Sequence, residues 1–92
     1  MFSEDEIIQQ LAQAGLRITG ARRAIVRVLL AADNALTPAQ TCELARRHWP
    51  GIGLVTSYRT LELLTQFGFA RRLHADDGCH SYVRASLGHR HD

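Results

Sequence analysis

Apolar residues recur at helical spacing in several segments of the chain, and the first segment lies near the amino terminus. Ser3 followed three residues later by Glu6 is typical of a capping box at a helix start. Gly15 then ends the pattern. We therefore predict a first helix whose inward positions are Ile7, Ile8, Leu11 and Ala14.

Two further helices are predicted between residues 19 and 50. Thr19 can cap the second, which residues 33–34 end. Thr37 can cap the third, because Pro38 follows in the first-turn position where its missing N–H costs nothing, and Trp49 and Pro50 end it. The predicted inward positions are Ala21, Ala24, Ile25, Val28, Leu29 and Ala32 in the second helix, and Leu44 and Ala45 in the third.

The segment LVTSYRTLELL, residues 54–64, follows the connector GIG at 51–53 and predicts a fourth helix. We expect Thr56 or Ser57 to cap it and Gly68 to end it. Its polar first turn, residues 56–60, would be costly to bury and therefore indicates an exposed surface. The predicted inward stripe is Tyr58, Leu61, Leu64 and Phe67.

Beyond Gly68 the spacing changes to alternation in FARRLH and CHSYVR, which predicts two strands. Asp77 and Gly78 would form a tight turn between them. The predicted cross-strand pairs are Leu73 with Tyr82 and Arg72 with Val83. Three to four helices followed by a two-stranded β-hairpin wing indicate an α+β, mostly helical, winged helix-turn-helix.

Composition is consistent with one small globular domain of 92 residues. No apolar run approaches the length of a membrane span, and acids at residues 4–6 occupy the place where a secretory signal carries basic residues. We expect a cytoplasmic protein without membrane contact. Cys42 and Cys79 lack CxxC spacing, so free thiols are expected.

The charge distribution is more informative than the net charge of +2. All eleven basic residues are arginine, whose planar guanidinium suits bidentate phosphate contacts, although a codon preference would give the same composition. Acids lie at 4–6 and 76–77, whereas nine arginines lie between them, at 17–72. Because a helix amino end favours anions, this basic surround predicts that the fourth helix meets a DNA phosphate backbone.

Ordered motifs across almost the whole chain carry a family resemblance. They are LRITGARRAIVRVL, LTPAQTCELARRHWPGIGLVTSYRTLELLTQFGFARRL, DDGCHSYV and GHRHD. In this order and spacing the chain resembles the ferric uptake regulator family of metal-responsive bacterial repressors. The most specific part is VTSYRTLELLTQFG, in which Ser57 replaces the usual valine.

The resemblance implies sequence-specific binding to double-stranded DNA at an AT-rich inverted repeat. Tyr58 would touch a thymine methyl, Thr56 and Arg59 would hold phosphates, and Arg17 would reach the minor groove beside the site. Phosphate contacts position such a protein, and base contacts specify the sequence. The predicted DNA-binding residues are Arg17, Arg22, Thr56, Ser57, Tyr58, Arg59 and Thr60.

The resemblance also implies a domain boundary: residues 1–84 form the winged-helix domain, and 85–92 begin a hinge to a dimerisation domain that this chain lacks. We therefore expect either a fragment or a naturally short form of a homodimeric repressor that senses zinc or iron(II) when full-length. His89 and His91 match the family's histidine cluster, and imidazoles two apart suit zinc or iron. Two ligands do not close a site, so no bound cofactor is expected in this chain. Ligand positions elsewhere in the family are occupied here by Ala35, Val83 and Ala85.

Alternative interpretations remain open for several residues. Tyr58 could be a core-edge aromatic, and Arg59 could pair with Glu62 or Glu43 on the surface. Arg46 and Arg47 fit solvated charges at a helix end. Arg71 and Arg72 are adjacent on a strand, so at most one of them can face a duplex. A polar hairpin is sufficient to explain His74, His80 and Cys79.

Two other functions compete with DNA binding. A winged helix can serve as a protein-protein interaction module without binding DNA. An enzyme using Cys79 and His80 as thiol and base is disfavoured, because adjacent strand residues point to opposite faces. We predict that the protein is not an enzyme.

Overall fold

A computed structural model of the chain describes residues 2–74 and 80–85. In chain order the elements are α1 (Glu4–Gln13), α2 (Gly20–Ala31), α3 (Pro38–Ala45), α4 (Leu54–Gln66), β1 (Ala70–His74) and β2 (His80–Arg84). The two strands are antiparallel neighbours in one sheet. This confirms the predicted α+β, mostly helical architecture with a two-stranded wing.

Helices α1 to α3 begin at the predicted caps. The Ser3 Oγ accepts the Glu6 N–H at 3.1 Å, and the Glu6 carboxylate accepts the Ser3 N–H at 2.8 Å. Thr37 forms the same reciprocal pair with Gln40, and the Thr19 Oγ1 accepts the Arg22 N–H at 3.1 Å. Each cap satisfies donors that the first helical turn leaves unpaired.

Helices α1 and α4 each end just before a glycine with positive φ: Gly15 at 88° and Gly68 at 83°. Only glycine adopts this conformation without strain. At Gly68 the chain reverses so that the Phe69 N–H donates to the Leu64 carbonyl at 2.8 Å, and the Phe69 side chain enters the core at 2% exposure. The predicted ends at both glycines are therefore confirmed.

Helix α2 lies at the centre of the fold and contacts α1, α3, α4 and β2. Its predicted inward residues Ala24, Ile25, Val28 and Leu29 are buried. Val26 is also fully buried, although it lies outside the predicted stripe, because α2 has neighbours on more than one side. Within the described part of the chain, no helix is long and apolar enough to cross a membrane.

The wing has a different register from the predicted one. Tyr82 lies opposite Arg72, and Leu73 lies opposite Ser81, so the predicted pairs are wrong by one residue. The Tyr82 N–H and carbonyl also bond to Leu36, at 2.8 and 2.9 Å, which fixes β2 from its other side. A one-residue shift exchanges the two faces of a strand, and Leu73 is accordingly exposed. The predicted turn residues Asp77 and Gly78 lie outside the described residues.

The α3–α4 connection is held by Arg46. Its Nε donates to the Ile52 carbonyl at 3.1 Å, and its guanidinium pairs with Glu43 at 3.0 Å. The Cys42 thiol, which is free and buried, lies 3.7 Å from the same carbonyl. Arg46 is therefore a structural residue of this turn as well as a charge at the end of α3.

Candidate nucleic-acid interface

The amino end of α4 has no side-chain cap. The helix begins at Leu54, its N-cap is Gly53, and no side chain bonds to its first N–H groups. The predicted cap at Thr56 or Ser57 is therefore wrong: both residues lie inside the first turns. Unpaired N–H groups at a helix start carry partial positive charge and favour an anionic partner.

Two of the predicted contact residues on α4 face the interior. The Ser57 hydroxyl is fully buried and donates to the Pro38 carbonyl at 2.9 Å. The Thr60 hydroxyl, 1% exposed, donates to the Thr56 carbonyl at 2.7 Å. Because the Ser57 hydroxyl is used inside the fold, its predicted direct contact with DNA does not fit the structure. Thr60 lines the same groove as Thr56 and Arg59, and its contact stays a prediction. Ser57 instead fixes α4 against the first turn of α3.

The outward face of the same turn carries Tyr58 and Arg59. Tyr58 and Phe67 are 45% and 38% exposed, so their predicted places in the inward stripe are wrong, whereas Leu61 and Leu64 are fully buried as predicted. Arg59 is exposed, and Thr56 is half-buried beside it. The side chains of this turn that can reach a partner are therefore an aromatic ring, a guanidinium and a hydroxyl.

Arg17 and Arg22 lie next to this turn although they belong to the start of α2. Together with Thr56, Arg59 and Thr60 they line one groove of about 350 Å³. Arg22 and Arg59 also line an adjoining groove with Tyr58. The Arg22 guanidinium donates to the Arg17 carbonyl at 2.6 Å, which limits its rotation. Five of the seven predicted contact residues, from two separate segments, thus converge on one surface.

Most of the other described arginines have partners of their own. The ion pairs, all within 4 Å, are Arg23 and Arg27 with Glu4, Arg23 with Asp5, Arg46 with Glu43, and Arg72 with Glu62. By contrast, neither Arg17 nor Arg59 has a carboxylate partner among residues 2–74 and 80–85, so the proposed pairing of Arg59 with Glu62 or Glu43 is not observed there. Arg17 and Arg59, which lack a carboxylate partner among the described residues, thus both lie beside the amino end of α4.

Glu62 would place a negative charge near this surface, but it is bonded to the wing. Its carboxylate accepts hydrogen bonds from the Tyr82 hydroxyl and from Arg72, the latter at 2.9 and 3.0 Å. These bonds lower the pKa of Glu62, with the Tyr82 bond as the main cause. Burial, followed by the bond to Glu62, raises the pKa of Tyr82 to about 12. The contact also attaches the wing to α4 and fixes their relative position.

Comparison with known proteins identifies the family of this chain. Residues 13–92 match the family model described as "Ferric uptake regulator family". The ferric uptake regulation protein of Bacillus subtilis is 36% identical over 88 residues, which are 95% of this chain and 59% of that protein. The chain belongs to the ferric uptake regulator family.

Two further similarities support the family assignment. The zinc uptake regulation protein of Mycobacterium tuberculosis is 36% identical over 83% of this chain and 58% of its own length. The Helicobacter pylori ferric uptake regulator structure superimposes with a TM-score of 0.81 at 21% identity, over 96% of this chain and 61% of that one, which supports the winged-helix fold. These relatives are named as regulators, in agreement with the prediction of a non-enzyme. This chain covers 59% of the length of the Bacillus subtilis relative and 58% of the Mycobacterium tuberculosis relative.

The described part of this family member contains no cluster of three His, Cys, Asp or Glu side chains that could hold a metal ion. The His74 and His80 rings meet edge to face across the wing, with centroids 4.3 Å apart, and supply only two ligands. His89, His91 and Cys79 lie outside the described residues, so the metal prediction for the two histidines stays a prediction.

Two exposed residues of α4 were missed because the predicted helix began too late. Leu54 is 53% exposed and Val55 is 62% exposed. At about 100° per residue, Leu54, Val55 and Tyr58 lie on one side of α4, and Leu54 borders the buried stripe. The spacing of Leu54 and Tyr58, four residues apart, was the available signal in the sequence. An apolar strip therefore lies beside the basic groove.

Proposed function

We propose that this chain is the DNA-binding part of a transcriptional repressor of the ferric uptake regulator family, which binds duplex DNA through the amino end of α4. The observation that carries the proposal is the joint position of an uncapped helix start, an exposed Tyr58, and Arg17 and Arg59, which have no carboxylate partner among the described residues. An anionic partner would supply the charge that these groups lack within the described fold.

In the proposed complex, α4 enters the major groove and Tyr58 contacts base edges. Arg59 and Thr56 bind backbone phosphates, Arg22 reinforces them, and Arg17 reaches the adjacent minor groove. The groove that joins these four polar residues supports this division, because it runs from the first turn of α4 to the start of α2. The buried hydroxyl of Ser57 would act indirectly, by fixing the helix that presents Tyr58.

The proposed site is an AT-rich inverted repeat bound by a homodimer of the longer protein. Two tethered winged helices would gain affinity from effective concentration, so this chain alone should bind weakly. We propose that residues 85–92 begin the hinge to the dimerisation domain, and that zinc or iron(II) acts on the full-length protein. The names of relatives as iron and zinc uptake regulators support metal responsiveness without distinguishing the metal.

The alternative is a winged helix that binds another protein through the same surface. The apolar residues Leu54 and Val55 favour this alternative. Arg17 and Arg59, which lack carboxylate partners within the described part of the chain, favour DNA. Protein binding should depend weakly on salt and survive the loss of Arg59. DNA binding that neutralises Z phosphates should weaken with a log-log salt slope of about −0.9Z.

The test is fluorescence anisotropy with an AT-rich palindromic duplex and a scrambled duplex at several salt concentrations. Arg59→Ala should weaken binding to both duplexes and reduce the magnitude of the slope by about 0.9. Tyr58→Ala should instead reduce the preference for the palindrome and leave the slope unchanged, since no phosphate contact is lost.

Arg47→Ala is the matched control. Arg47 is exposed and lies beside Leu44 and His48, on a surface formed by α2 and α3 away from the basic groove. Its removal lowers the net charge as much as Arg59→Ala does, and we expect the slope to stay unchanged. Equal slope changes in the two variants would contradict the proposed surface, and salt-independent binding would favour the protein-binding alternative.

A further inference from the structure

We propose that Leu54 and Val55 are specificity-determining residues that contact the C5-methyl groups of thymines in the major groove. The inference rests on the proposed function, because it assigns a role to two further residues of the same DNA-binding surface. It concerns the choice among sequences rather than the ability to bind a duplex.

The first observation is the unusual exposure of aliphatic side chains at a helix start. Leu54 and Val55 are 53% and 62% exposed, and Tyr58 continues the strip at 45%. Contiguous exposed apolar residues rimmed by polar groups are typical of a binding surface. Neither side chain caps α4, since its N-cap is Gly53 and no side-chain bond is made there. Capping of α4 therefore does not explain why two aliphatic residues are exposed at these positions.

The second observation is the shape of the surface next to them. Leu54, Val55 and Tyr58 line a groove of about 760 Å³ whose opposite side is formed by Pro38 and Ala39 at the start of α3. Arg59 lies at the border of this groove, and it also lines the basic groove with Arg17. One surface thus has an apolar floor and a cationic edge.

This combination fits the major groove of DNA better than an apolar protein segment. Phosphates border the major groove and would meet the guanidinium groups, and the thymine methyl is the apolar group that its floor presents. The edges of guanine, cytosine and adenine present hydrogen-bonding groups there, which aliphatic side chains cannot satisfy. An apolar peptide would bury Leu54 and Val55 but leave the arginine edge without a counter-charge.

The expected effect follows from the size of a methyl group. Burying one methyl or methylene group changes a dissociation constant by about fourfold. Replacing thymine by deoxyuridine removes this methyl and leaves every hydrogen-bonding group in place. We therefore expect the chain to bind an AT-rich palindrome about fourfold to tenfold more weakly when its thymines are replaced by deoxyuridine.

The experiment measures anisotropy of the wild type and of a Leu54→Asn, Val55→Thr double variant on both duplexes at one salt concentration. Both substitutions are close in shape, and both side chains are exposed, so the fold should be retained; circular dichroism checks this. In the double variant, we expect a smaller ratio between the affinities for the thymine and deoxyuridine duplexes, because only Tyr58 still contacts thymine methyls. The salt slope should stay unchanged.

Phe67→Gln is the matched control, because Phe67 is an exposed apolar residue at the opposite end of α4. It should keep the wild-type ratio. A double variant that keeps the wild-type ratio, or that weakens both duplexes equally, overturns the inference and leaves the proposed function intact. Absence of salt-dependent binding to either duplex overturns both proposals.

Discussion

Gly20 offers a direct test of how α2 is attached to the α3–α4 turn. Gly20 is the first residue of α2, and the ring of Trp49 lies against it. A Cβ added at Gly20 would lie 2.3 Å from Cζ3, 2.6 Å from Cη2 and 2.7 Å from Cε3 of that ring. Since these distances are far below van der Waals contact, Gly20→Ala must displace the Trp49 side chain.

The cost follows from the surface that the ring loses. Trp49 is 49% exposed, so about half of its side chain, on the order of 100 Å², is removed from water. At ~25 cal/mol per Å² this burial contributes about 2.5 kcal/mol as an upper value. Gly20→Ala forfeits the part of the contact made over Gly20, and we expect a loss of about 1–2 kcal/mol in the free energy of unfolding.

Removing the Trp49 ring should reverse the sign of the stability change that Gly20→Ala causes. In a Trp49→Ala background no ring obstructs the Cβ, and Gly20 has no positive φ that would strain alanine. Gly20→Ala should then stabilise the chain by about 0.5 kcal/mol, because alanine has the higher helix propensity and restricts the unfolded chain. The expected coupling energy between the two positions is about 1.5–2.5 kcal/mol.

Urea unfolding followed by circular dichroism at 222 nm measures all four members of this double-mutant cycle, and it does not depend on the tryptophan that two of them lack. Gly51→Ala is the control, because Gly51 has no neighbour within 4 Å of an added Cβ and no positive φ. Additive effects of Gly20→Ala and Trp49→Ala would refute the proposed contact.

Three other predictions concern the wing, the turn that presents Tyr58, and metal. The hydrogen-bond partners of Glu62 lower its pKa below the ordinary value of 4.5. The ionised carboxylate therefore stabilises the fold above pH 4.5, and this stabilisation is lost as the pH falls through the folded-state pKa. Glu62→Gln should flatten this dependence of the melting temperature on acid pH. Ser57→Ala should cost about 1 kcal/mol in urea unfolding and leave the DNA salt slope unaltered. Zinc should not change DNA affinity in anisotropy, since His89 and His91 supply only two ligands; a zinc-dependent gain would contradict this.

Several features of the fold were predictable because they are encoded over a few residues. The caps at Ser3, Thr19 and Thr37 bond to groups three positions away, and the helix ends at Gly15 and Gly68 depend on a local backbone conformation. Sequence alone therefore located the helices and the wing. Their ordered motifs also indicated the family to which the chain belongs.

The candidate site was predicted less completely. Tyr58, Arg59, Arg17 and Arg22 lie around the amino end of α4 as expected, although their contacts with DNA stay predictions. The side-chain pattern did not reveal that Ser57 is fully buried, because its partner, the Pro38 carbonyl, lies 19 residues away. The exposure of Leu54 and Val55 was missed because the start of α4 was placed at a polar residue rather than at Gly53.

The register of the wing was decided by the tertiary structure. Alternation allowed Tyr82 to face either Leu73 or Arg72, since both pairings preserve two strands. The observed pairing satisfies Tyr82 with Leu36 along its backbone and with Glu62 through its hydroxyl, partners that lie 46 and 20 residues earlier in the chain. Local hydrogen bonds fix where the helices begin and end, whereas burial, register and the pairing of charges depend on residues that only folding brings together.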